Sequence, residues 1–226
     1  MIFSAGFACV IIYIYIMRDI TSKNNISPQS LLPCHDDLRG TLETALSLLE
    51  RAAIDRKSPL HTPVLSTLGL DNTPQTRIVV LRETNIQQRN LEFHTDTRST
   101  KISEIKASPQ VSLLFYDPKK KIQLKVSGTA KLQSDQARQA AWERLHRGSQ
   151  AVYQIEPAPS TPLTNPQKAS YSPDINQQGY AHFSAITVTM NTLEWLYLAA
   201  AGHRRAWFDF QKSGVNTSPQ MQWLAP

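Results

Sequence analysis

The chain has 226 residues, 41% hydrophobic, 19% charged and 8% aromatic, with 24 Lys and Arg against 18 Asp and Glu. That composition excludes collagen-like and multi-span membrane classes, and two cysteines, Cys9 and Cys34, cannot build a disulfide framework. A formal charge of +6 leaves anionic small molecules, acidic membranes and nucleic acid open as partners.

Residues 1–35 read as an apolar and then disordered leader ahead of one domain over 36–226. Met1 to Met17 carry no charge, but the stretch is shorter than the ~20 residues of a spanning helix. It also lacks the basic start and small-residue cleavage site of a secretory signal. It is either a marginal anchor or an upstream extension of a frame that works from Met17. The second is favoured, because Thr21 to Gln29 then reads as an ordinary polar leader. A cytoplasmic protein without membrane association is expected.

From Asp36 to Arg56, Leu38, Leu42, Ala45, Leu46, Leu49 and Ala53 recur at helical spacing behind two acidic residues, which predicts an amphipathic helix. Pro63 to Leu70 and Gln75 to Leu81 are β-rich runs joined by the turn-forming Asp71-Asn72-Thr73-Pro74, hence a hairpin. Asn90 to Thr95 gives a third strand, Ser99 to Ala107 a short helix, Val111 to Tyr116 a fourth strand and Ile122 to Leu132 a long fifth one. Lys119 to Lys121, after Asp117-Pro118, reads as the solvated turn between the last two; it is too short to bind nucleic acid. Ser134 caps a second amphipathic helix to Arg147, with Trp142 assigned to helix packing. A Pro-rich insert over about 156–174 has no periodicity, and strands resume at Ala185 to Met190, Leu193 to Leu198 and Arg205 to Phe210. Hairpin order without βαβ alternation makes the fold mainly β with flanking helices, an antiparallel barrel.

No GxGxxG or GxxxxGK loop is present, which excludes dinucleotide and P-loop folds; no GxSxG supports a serine hydrolase. The six histidines show no HExxH or paired spacing and CxxC is missing, so no metal is expected.

What remains is an ordered set of cationic and polar residues on strands: Thr76 to Arg82 (TRIVVLR), Phe93-His94-Thr95, Arg98-Ser99-Thr100-Lys101 opening a helix, and Gln123 five residues before Gly128. Glu194-Trp195 follows, with His203 and Arg205 beyond it, and the chain ends Leu224-Ala225-Pro226. Over about residues 36–226 this resembles the pyridoxamine 5′-phosphate oxidase family. The resemblance implies an antiparallel FMN-binding split β-barrel that assembles as a homodimer with flavin clefts at the interface. It implies that Arg77 and Lys101 hold the FMN phosphate, helped by Thr95, Ser99 and Thr100. Charge-assisted bonds must do this where no glycine nest exists. Arg77 is read as lying on a buried strand. Ile78, Val79 and Val80 would form the backbone wall beside the flavin ring, Gln123 and Arg82 its edge contacts, and Trp195 and Arg205 would reach it from the partner subunit.

The substrate side departs from the family pattern. Ser149 and His203 are retained as substrate-binding residues, but Ala141 falls where the family has a tyrosine, and Leu145 and Ala201 where it has arginines. Arg82 replaces a lysine and Thr100 an arginine; Arg144 or Arg147 lies a helical step from Leu145. Two missing cationic anchors, each worth about 1.5–3 kcal/mol, argue against turnover of pyridoxamine phosphate. The resemblance therefore points to the related branch of the family, an FMN-dependent oxidoreductase acting on an unidentified small molecule. A true pyridoxamine/pyridoxine 5′-phosphate oxidase and a non-catalytic flavin-binding protein are the alternatives.

Overall fold

A computed structural model describes residues 32–170, 178–211 and 218–226; nearly all of the expected leader and the end of the Pro-rich insert lie outside them. Helix α1 (Leu38–Ile54) starts where Asp37 accepts hydrogen bonds from the Arg39 and Gly40 amides, at 3.0 and 3.1 Å. It buries Leu42, Ala45, Leu49 and Ala52. The strands are β1 (Val64–Leu68), β2 (Pro74–Ile78), β3 (Leu81–Asn85), β4 (Asn90–Asp96), β5 (Gln110–Asp117), β6 (Ile122–Leu132), β7 (Phe183–Tyr197), β8 (Arg204–Asp209) and β9 (Gln220–Leu224). Helix α2 (Thr100–Ala107) follows β4, while α3 (Asp135–Glu143), α4 (Arg147–Ala151) and α5 (Gln178–His182) lie between β6 and β7.

All pairings are antiparallel, in the order β2-β1-β5-β6-β7-β4-β3, with β8 beside β7 and β9 beside β8. The two strands expected over 185–198 are one long strand. On one edge β7 pairs with β6; on the other its first half pairs with β4 and its second half with β8. The sheet divides at Asn191, where the β6–β7 register slips between Ser127 and Gly128. Gly128 is required there, because a Cβ would stand 2.4 Å from the Thr189 carbonyl oxygen.

Other boundaries also moved. The run Gln75 to Leu81 breaks at Ile78, where the Val79 amide turns to the Pro63 carbonyl (3.0 Å), and β3 starts at Leu81. The helix expected over 134–147 stops at Glu143 and restarts as α4. Strand β9 and helix α5 were not foreseen. The lysine run is the β5–β6 turn, in which Asp117 accepts from the Lys119 and Lys120 amides, both at 3.0 Å. Leu65, Leu81, Phe93, Phe115, Leu124, Val188 and Phe208 form the main core. A second cluster, Ala141, Tyr153, Phe183 and Ala185, is closed by Trp142, whose ring tilts against Tyr180 and Phe183.

Candidate functional site

Strand β4 and the start of α2 build a cationic cluster. Lys101 Nζ donates to Thr95 Oγ1 (3.0 Å) and to Ser99 Oγ (2.6 Å). Ser99 stands at the α2 N-cap but makes no capping bond, its hydroxyl being turned to the lysine. Arg77, on β2, donates from Nη2 to Glu104 Oε2 (2.9 Å) and from Nη1 to Thr67 Oγ1, and Thr67 donates in turn to the same carboxylate oxygen (2.6 Å). Burial, and then the charge of Arg77, hold the Lys101 ammonium below the ordinary lysine range, against the pull of Glu104 and Asp96. Two cations thus lie close together. The buried carboxylate is spent on Arg77, and among the described residues Lys101 has hydroxyl partners only. A half-buried ammonium so placed fits an added oxyanion.

The neighbouring Arg98 is otherwise engaged. It grips Asp96 with two bonds (3.0 and 2.7 Å) and the carbonyls of Ile155 and Glu156 (2.8 and 2.6 Å), pinning the start of the Pro-rich insert beside β4.

On the opposite face of β4, beside His94 rather than Thr95, lies a cavity of about 170 Å³. Arg82, His94, Ser149, Arg144, Glu83 and Glu92 line it, together with Ala141 and Leu145. Glu92 accepts from His94 Nε2 (2.8 Å) and from Gln133 Nε2. Burial alone would raise its carboxyl, but those two bonds, aided by the charge of Arg144, outweigh it and hold it below the usual range. His94 Nδ1 and Arg82 Nε are buried without partners. Burial likewise pushes the nearby Tyr153 phenol up to about 12, opposed by Arg82.

The other expected residues lie as follows. Trp195 is 2% exposed and belongs to the core. In register it stands opposite Leu124, whereas Gln123 stands opposite Leu196, so the two point to opposite faces of the sheet. Leu196, paired with Arg205, holds the place on the Gln123 face. Strand β2 is not buried: Ile78 is 69% exposed, and only Arg77 and Gln75 turn inward. Val79 enters the core, Val80 is half-buried, and Thr100 is exposed, outside the Lys101 hydroxyl cluster. Arg205 is held by Glu194 (2.9 Å), and neither it nor His203, whose Nδ1 is also buried without a partner, lines the Arg82 cavity. Sequence reasoning missed Thr67, Glu104, Glu92 and the side chain of His94.

The fold is an antiparallel split barrel, with a cationic cluster at the β4–α2 junction. Residues 43–134 match the family described as pyridoxamine 5′-phosphate oxidase, FMN-binding domain. The pyridoxine/pyridoxamine 5′-phosphate oxidase of Rubrobacter xylanophilus is 38% identical over 101 residues, 43% of this chain and 46% of that protein. The Caulobacter vibrioides enzyme of the same name is 26% identical over 177 residues, 75% and 79% of the two chains. The chain spans less than half the length of the first curated relatives it matches, 43% to 46%. Among solved structures, an FMN-binding, pyridoxamine 5′-phosphate oxidase-related protein of Nostoc punctiforme superposes with a TM-score of 0.61 at 21% identity, covering 88% of this chain and 100% of that one. PhzG of Burkholderia lata gives 0.67 at 18% identity, covering 89% and 100%. Residues 43–134 thus resemble the pyridoxamine 5′-phosphate oxidase FMN-binding domain, and the described residues share the split-barrel fold of these solved structures.

Proposed function

We propose that the protein is an FMN-dependent oxidoreductase of the pyridoxamine 5′-phosphate oxidase-related branch, a cytoplasmic homodimer acting on a small molecule. The observation that carries this reading is Lys101, half-buried beside Arg77 with, among the described residues, only the Thr95 and Ser99 hydroxyls as partners. Arg77 and Lys101 would hold the FMN phosphate, and the two hydroxyls would turn toward its oxygens. When bound, FMN supplies two-electron chemistry at its ring. The chain's part is to bind it, orient the substrate and exclude water.

The register supports a cleft completed by a second copy. Ile78 pairs with Val64, Val64 with Leu114, and Tyr116 with Gln123, so these side chains share one face of the sheet. Ile78, Leu114 and Tyr116 are exposed there, and Arg205 joins the same face through Leu196. An apolar strip beside polar ring-edge candidates suits a two-fold interface that encloses a flavin. Among the described residues no helix is long and apolar enough to cross a membrane. Ala141 and Leu145 line the cavity where the family pattern has a tyrosine and an arginine, which supports the related branch over the true oxidase.

The test is the visible spectrum and sedimentation of the purified chain. A yellow dimer holding one FMN per subunit is expected. A monomer that takes up no flavin on reconstitution would overturn the reading.

A further inference from the structure

The Arg82 cavity carries more than the loss of two anchors. Its wall holds an acceptor and a donor that are both buried and unmatched. With Glu92 held ionised, the bond between it and His94 needs the proton on His94 Nε2, since a carboxylate only accepts. In the neutral ring Nδ1 is then a bare acceptor, and the His94 side chain is only 6% exposed. Arg82 Nε is a buried donor without a partner, and Arg82 forms no ion pair among the described residues. Buried polar atoms of this kind are costly until something meets them.

We infer that the cavity binds a monoanionic carboxylate bearing an adjacent O–H or N–H, the carboxylate meeting Arg82 and the donor meeting His94 Nδ1. A phosphate dianion is the poorer complement. It would bring no donor to His94, and Glu83 and Glu92 stand in the same wall. Arg144 is already paired with Glu83, at 3.0 Å on the exposed side. Size agrees: about 170 Å³ is below the ~300–1,000 Å³ of whole-ligand pockets and fits an end group of a few heavy atoms. Calling this ligand the substrate rests on the flavin reading; its binding does not.

The test titrates the full chain with glycolate, acetate and methyl phosphate, by calorimetry and by the ¹⁵N resonances of the histidine rings. Glycolate is expected to bind about tenfold more tightly than acetate, the worth of one hydrogen bond, and more tightly than methyl phosphate. His94→Phe should reduce glycolate to the level of acetate and leave acetate unchanged, whereas Arg82→Gln should weaken both. Should the His94 variant not fold, the unaltered chain decides: the His94 Nδ1 resonance should move with glycolate and not with acetate. Methyl phosphate binding as tightly as glycolate, an unmoved Nδ1 signal, or no anion binding at all would overturn the inference. A chain that takes up FMN but no glycolate refutes the cavity assignment alone, and one that binds glycolate but no FMN refutes the flavin reading alone.

Discussion

Thr95 and His94 are neighbours on β4 and serve two cationic sites that manage their polar atoms in opposite ways. Around Thr95, each polar group has an internal partner: Arg77 has Glu104 and Thr67, and Lys101 has Thr95 and Ser99. Around His94, a ring nitrogen and a guanidinium nitrogen are buried with none. The first site holds its cations by neutralising one and solvating the other with hydroxyls. The second leaves its cost for a ligand to remove. The Arg77 charge has a permanent companion, whereas the His94 acceptor and the Arg82 donor are left for a transient one.

The contrast breaks most readily at Glu104. Replacing it by Ala leaves Arg77 largely buried without its counter-charge, and chemical unfolding should show a loss of about 3 kcal/mol, the low end for a broken buried pair because Arg77 keeps some solvent contact. In the His94 site the loss should be smaller. His94→Phe removes an unmatched nitrogen and keeps a ring against Phe183, but it takes one hydrogen bond from Glu92, which retains Gln133, so stability should fall by about 1–2 kcal/mol. A loss as large as that of Glu104→Ala would erase the distinction between the two sites.

A smaller effect separates holding a cation from using it. Lys101 has its pKa lowered in the folded apoprotein, so the unfolded chain binds the proton more tightly, and the lysine's contribution to stability grows as pH rises toward the ordinary lysine range. FMN binding should run the other way, because the phosphate needs the charged form: its affinity should fall as pH rises through the lowered Lys101 pKa. Titration of apoprotein with FMN at neutral and alkaline pH, with riboflavin as control, should show the loss for FMN alone. Parallel losses for both flavins would place the titrating group elsewhere.

The sequence showed the long alternating strand Ile122–Leu132 and the α1 face because each has one period and one buried side. It concealed the corner at Val79, since the run from Ile78 to Leu81 is apolar throughout while only alternate parts of it enter the core. The inward face of Trp195 was legible in its parity: Leu193, Trp195 and Tyr197 alternate with Glu194 and Leu196. Glu104 and Thr67 were beyond reach, because their meeting with Arg77 depends on α2 lying against β1 across a separation of 37 residues. The Glu92–His94 pair needed only a spacing of two on a strand, but nothing in the sequence said that a helix layer would bury that face.

The central claim is that Arg77 and Lys101 are the seat of the FMN phosphate, and binding of FMN and riboflavin to Arg77→Ala and Lys101→Ala tests it most directly. Each variant should bind FMN about 10- to 150-fold more weakly, the loss of one charge-assisted contact of roughly 1.5–3 kcal/mol, while riboflavin, which has no phosphate, binds as it does to the unaltered chain. Equal losses for both flavins, or no loss for either, would contradict the account.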